Sequence, residues 1–202
     1  LRRWKGGPGL VPALPFHLHR KAPPRPMPLA WQDIRSNAIA FAHEWQNTSR
    51  ESADAKPFWE HFFQVFGLKR RVFATFEEPV RNLKGSSGFI DLFWPGTLMV
   101  EHKSRGHDLG KARSQAFAYI QGLQSSGRGA EAPRFLILSD FNRFRFHDLE
   151  GGTEKEFDLQ DLHRNLHLFG FMAGYTRHEA HEEDPANFRA VELMASLRDK
   201  VA

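Results

Sequence analysis

The chain has no cysteine. That excludes a disulfide scaffold, an iron–sulfur cluster and a thiol nucleophile, and it fits a reducing cytoplasm. No apolar run reaches the roughly 18 residues that a membrane-spanning helix needs, so no membrane partner is expected. Lys84-Gly-Ser-Ser-Gly88 lacks the GK[ST] ending of a phosphate loop and reads as a turn; no glycine-rich nucleotide motif offers a place for S-adenosylmethionine. His163 and His167 stand four apart, with His178 and His181 nearby, but no third ligand has the spacing of a zinc site. Ser139-Asp140 has no partnered histidine, so no nucleophilic triad is read.

Acidic residues are absent from residues 1–26, which hold six basic ones: Arg2, Arg3, Lys5, Arg20, Lys21 and Arg25. Of the chain's 28 Lys and Arg, 22 therefore remain to face 24 Asp and Glu, and residues 27–202 carry a net charge of −2. The basic balance belongs to the tail, and a nucleic-acid reading has to come from a site. Residues 1–26 are rich in Pro, lack a periodic apolar face and read as a disordered basic tail, the alternative being an arm that touches phosphates.

What is present is globular. Hydrophobic residues make up 41% of the chain and charged residues 26%, and 19 residues are Phe, so an aromatic core is expected. Ile34, Ala38, Phe41, Ala42 and Trp45 form a helical stripe over Trp31–Trp45. Thr48-Ser49-Arg50-Glu51 has the spacing of a capping box and opens a second helix over about 49–66, with Pro57 marking an irregularity. The period then falls toward two: strands are expected over about 72–80, 88–94 and 98–104, the last two joined by the tight turn Pro95-Gly96-Thr97. Helix 108–124, strands 135–138 and 144–149, and helices 159–169 and 185–201 follow. The order α-α-β-β-β-α-β-β-α-α predicts a mixed β-sheet flanked by helices. The expected domains are 27–155, an α/β domain, and 156–202, a C-terminal helical segment.

The hairpin carries the chemistry. Side chains alternate faces along a strand, so Glu101 and Lys103 share one face while Val100 and His102 point the other way. Asp91 sits across the turn, where a cross-strand neighbour lies about 5 Å away. Two carboxylates about 4 Å apart repel by about 4 kcal/mol at an effective dielectric of roughly 20. A divalent cation reverses that sign, and hard oxygen ligands without Cys or clustered His select Mg²⁺ or Mn²⁺ over Zn²⁺. The spacing Asp–x9–Glu–x–Lys alone recurs by chance; its placement across a hairpin, inside an apolar run and before a helix is what distinguishes it. On that helix Gln115 and Tyr119 are four apart and share a face, with Lys111 one turn earlier. An amide, a phenol and an ammonium suit phosphate binding and water positioning.

Asp91, Glu101 and Lys103 resemble the PD-(D/E)XK nuclease signature, and Gln115-x-x-x-Tyr119 resembles the extra motif of its exonuclease-like branch. The stretches from Phe73 to Val80, Gly88 to Trp94 and Leu98 to Gly106 resemble the N-terminal endonuclease domain of single-chain Type IIL restriction–modification enzymes, the MmeI kind. The similarity runs from about Trp31 to Leu149, and Asp184 to Met194 resembles the start of the helical spacer in those enzymes. Ile90 stands where the signature's name has Pro. The resemblance implies a restriction-endonuclease-like α/β fold and hydrolysis of double-stranded DNA. It implies Mg²⁺, with Mn²⁺ able to substitute, bound by Asp91, Glu101 and the backbone carbonyl of His102. Lys103 would activate water and stabilise phosphate charge, with Gln115 and Tyr119 positioning phosphate or water. Glu51 aligns with a helix-borne catalytic Glu of the family, and the capping-box reading of the same residue stays open beside it. The resemblance also implies methyltransferase and target-recognition domains in the full-length chain, and a dimer or transient association for double-strand cleavage. The rival readings are a catalytically silent DNA-binding module of this fold and a free-standing repair-type nuclease.

Overall fold

The computed structural model describes residues 29–48, 51–81 and 86–173, with the side chains of residues 51–52 outside the description. The basic tail 1–26 and the expected helix 185–201 lie outside the described residues.

Helix α1 (Trp31–Trp45) buries Ile34, Ala38, Phe41 and Ala42, the stripe read from its sequence. Helix α2 (Glu51–Val65) runs through Pro57 as one element. A single turn, α3 (Arg70–Phe73), precedes strand β1 (Thr75–Arg81), so the first residues of the expected strand are helical. Strands β2 (Ser87–Trp94) and β3 (Leu98–His102) form the expected hairpin. Gly96 takes the left-handed φ of +69° that their tight turn requires, and Thr97 donates to the Trp94 carbonyl at 2.9 Å. Helix α4 (Leu109–Ser125) starts on an Asp108 cap that accepts from the Gly110 N–H. Strands β4 (Phe135–Ser139), β5 (Arg143–Asp148) and β6 (Glu154–Asp158) complete the sheet.

The strands lie in sequence order, β1-β2-β3-β4-β5-β6, and only β3 and β4 are parallel. That pair is joined by the crossover through α4. Pro79 is tolerated because β1 is an edge strand. Helices α1 and α2 cover one face of the sheet and α4 the other, which is the mixed sheet flanked by helices expected of a restriction-endonuclease-like fold.

Two features differ from expectation. β6 was not anticipated, because Glu154-Lys-Glu-Phe-Asp exposes all but Phe157 and offers no alternation to read. The expected helix 159–169 is instead two 3-10 segments, Leu159–Arg164 and Leu166–Phe169. Their apolar residues fall in pairs three apart, the 3-10 period, and Leu159, Leu162, Leu166 and Phe169 all enter the aromatic core. The expected boundary at residue 155 thus falls inside β6, and the chain up to Ala173 shares one core with α1 and α2.

Candidate active site

Continuing the β2–β3 register one step beyond Leu92↔Val100 sets Asp91 opposite Glu101. Strict alternation cannot explain the neighbours of Asp91. Ile90 and Phe93, three apart, both pack on the α4 side, while Leu92 packs on the helical-layer side. The strand therefore changes phase at Asp91. Opposite Asp91 on β1, between the pairs Phe76↔Leu92 and Glu78↔Ile90, stands Glu77 with φ +55°, a left-handed backbone uncommon for Glu. The irregularity re-aims one carboxylate at the place where the ladder ends.

Four of the expected site residues form a hydrogen-bonded chain on the α4 side. Lys103 Nζ donates to Glu101 Oε1 at 2.6 Å and to Gln115 Oε1 at 3.3 Å. Gln115 Nε2 donates to the Tyr119 hydroxyl at 3.1 Å. Glu101 is completely buried, the Lys103 side chain is 22% exposed and Asp91 is half-buried, so the chain leads from a dry strand to solvent. Asp91 joins through the backbone: its Oδ2 accepts from the His102 N–H at 2.7 Å. Gly88 gives Tyr119 its space, since a Cβ there would lie 2.4 Å from the Tyr119 oxygen. Lys111 is exposed one turn before Gln115. Glu51 opens α2, but its side chain lies outside the described residues, and both readings of it stand.

His102 points away from this chain, as alternation predicts. Its imidazole is fully buried, Nδ1 accepts from Trp59 Nε1 at 3.2 Å, and Nε2 has no hydrogen-bond partner. Burial pushes its pKa down to about 3, only partly opposed by Asp140, so the ring is neutral.

A clamp behind Lys103 escaped the sequence reading. Asp140, 1% exposed, accepts from the Arg143 backbone and guanidinium and from the Gly106 N–H. Burial pushes its pKa up, but these bonds more than offset that and hold it below the ordinary value. Arg105 donates to the Thr48 and Gln46 carbonyls at the end of α1, and Arg143 to the His107 carbonyl. The loop leaving Lys103 is thereby tied to both α1 and the β4–β5 turn. The signal was Asp140 followed three residues later by Arg143. Glu77 and Glu78 are ion-paired, with Lys56 and Arg128 respectively.

The sequence matches the family described as MmeI, N-terminal domain, over residues 36–201. The chain belongs to this family. No curated protein matches it. Among solved structures, a cryoEM structure of a DrdV–DNA complex is similar at 14% identity and a TM-score of 0.45, over 69% of this chain and 14% of that one. The chain thus spans about a seventh of the length of that relative.

The described residues contain no group of three or more His, Cys, Asp or Glu able to hold a metal ion. The donors present are two carboxylates and backbone oxygen, which fits Mg²⁺, an ion commonly held by one or two carboxylates while keeping several waters. No described helix is long and apolar enough to cross a membrane.

Proposed function

We propose that the chain is a Mg²⁺-dependent DNA endonuclease module of a restriction–modification protein. The observation that carries this is the linked set Glu101–Lys103–Gln115–Tyr119, with Asp91 opposite Glu101, at the polar end of an otherwise apolar sheet face. Membership in the MmeI N-terminal family supports it.

Asp91, Glu101 and the His102 carbonyl would hold the ion, which when bound supplies Lewis acidity at the scissile phosphate and lowers the pKa of a ligated water. The remaining work falls to the chain. The Lys103 ammonium is held by Glu101 and Gln115 where it can orient the attacking water and neutralise phosphate charge. The water oxygen bonds to phosphorus, the bond to the leaving oxygen breaks, and the proton lost by the water is balanced by one gained at the leaving oxygen. The Gln115 amide and Tyr119 hydroxyl fix Lys103 and offer donors to a non-bridging oxygen. These contacts address the backbone, which carries no sequence information. Specificity is therefore assigned to target-recognition and methyltransferase parts of a longer protein, and double-strand cleavage to a dimer or transient association.

Supercoiled plasmid incubated with the chain tests this. Nicking with little sequence preference in Mg²⁺ or Mn²⁺, abolished by EDTA, is expected. No nicking with either metal would favour a silent DNA-binding module. Cutting of linear but not circular DNA would favour an end-directed nuclease.

A further inference from the structure

We infer that Trp59 and His102 form a positioning device that fixes the acidic site from the opposite face of the sheet. This rests on the proposed metal-dependent reading and adds two side chains to it.

The His102 ring lies among aromatic side chains on the α2 side. Phe141 meets it edge-on, with centroids 4.2 Å apart and planes at 82°, and Phe58 lies 5.6 Å away. Phe141 itself has φ +69°, a strained backbone for a bulky residue, with its N–H donating to Ser139 Oγ at 3.3 Å. Trp59 then ties the ring to α2 through its indole N–H, with Nε1 at 3.2 Å from Nδ1. A leucine in this cage would leave the buried Trp59 Nε1–H without its acceptor, and the imidazole that supplies the acceptor carries an Nε2 with no hydrogen-bond partner. A polar ring retained at that cost calls for an explanation beyond packing.

The backbone of the same residue supplies it. The His102 N–H donates to Asp91 Oδ2 at 2.7 Å, and the next N–H, of Lys103, donates to the Ser139 carbonyl at 2.8 Å. Locking the imidazole restricts rotation about the His102 Cα, and so fixes both the donor that aims Asp91 and the carbonyl assigned to the ion. The Trp59 and His102 side chains touch neither DNA nor metal; they act through Asp91 and the peptide.

The test is Mn²⁺ affinity, measured by electron paramagnetic resonance on the 202-residue chain without DNA. His102→Leu removes the acceptor, Trp59→Phe removes the donor, and His102→Asn keeps an acceptor oxygen near the Nδ1 position. Leu and Phe variants should bind Mn²⁺ about 10- to 100-fold more weakly, the usual loss when an outer partner of a metal ligand is removed. The Asn variant should recover most of that affinity. If His102→Leu does not fold, Trp59→Phe decides. Wild-type affinity in a folded Leu or Phe variant, or an Asn variant as weak as Leu, would overturn the inference. Wild type that binds Mn²⁺ but never nicks plasmid defeats the hydrolytic reading and leaves this one standing on the affinities. Wild type that binds no Mn²⁺ at millimolar concentration defeats both.

Discussion

Leu98, Val100 and His102 of β3 face an aromatic layer that includes Phe41, Phe58, Trp59, Phe62 and Phe144, all fully or almost fully buried. Met99 and Glu101, one residue out of step, face α4, whose contact surface is built from Ala112, Ala116 and Ile120. The rings on the first side interlock: Phe62 alone meets Phe41, Trp59, Phe66, Phe144 and Phe169. The alanines on the second side bring α4 close enough for Gln115 and Tyr119 to reach the end of β3. One strand thus divides its labour by parity, with the aromatic side holding the strand still and the α4 side presenting its polar end.

The largest expected effects separate the two sides. Phe62→Ala should cost about 3–5 kcal/mol of stability by opening a cavity, with nicking per folded molecule lowered far less than by loss of Lys103. Lys103→Ala should lower nicking per folded molecule at least about 10²–10³-fold, the scale for one positioned electrostatic group, and should also cost stability in metal-free buffer, because the buried Glu101 loses its paired ammonium. Denaturant melts paired with nicking rates check both. A Lys103→Ala chain cutting at the wild-type rate would remove the chemical role from the α4 side.

Asp140 lies between the faces and sharpens the comparison through pH. Its folded pKa is held below the ordinary 3.8, so its contribution to stability is present above that value and is lost as the pH falls through the folded pKa. Asp140→Asn weakens the bonds to Arg143 and Gly106 and should cost about 2 kcal/mol near neutrality. The gap between wild type and variant should narrow as the pH falls below about 3.8. Urea melts across that range measure it, and a gap that widens toward low pH would contradict the clamp.

Period-two alternation was enough to put Glu101 and Lys103 on one face and His102 on the other, and the 3.6-residue period put Gln115 beside Tyr119. What stayed hidden depended on contacts between distant segments. The phase change at Asp91 arises with Glu77 in a left-handed backbone, and no glycine advertises it. The His102–Trp59 bond joins residues 43 apart. β6 hides because an exposed edge strand needs only Phe157 to be apolar, and the 3-10 segments hide because leucines three apart also satisfy a helical stripe.

The smallest effect tests how tightly the α4 side is fitted. Tyr119→Phe deletes the hydroxyl that accepts from Gln115 and should cost about 1 kcal/mol of stability, with a modest loss of nicking. Gly88→Ala should cost about 1–3 kcal/mol by overpacking, since the new Cβ would meet the Tyr119 oxygen at 2.4 Å and two ring carbons at 2.9 Å. Combined, the two changes should cost less than their sum, because the closest of those contacts disappears with the hydroxyl. The ring carbons stay close, so relief is incomplete and the coupling should be about 1 kcal/mol, within the range for residues in contact. Four chains in one urea series complete the cycle. Strict additivity would mean that Gly88 does not hold the place against which Tyr119 seats, and the α4 side would be a looser surface than its hydrogen-bonded chain implies.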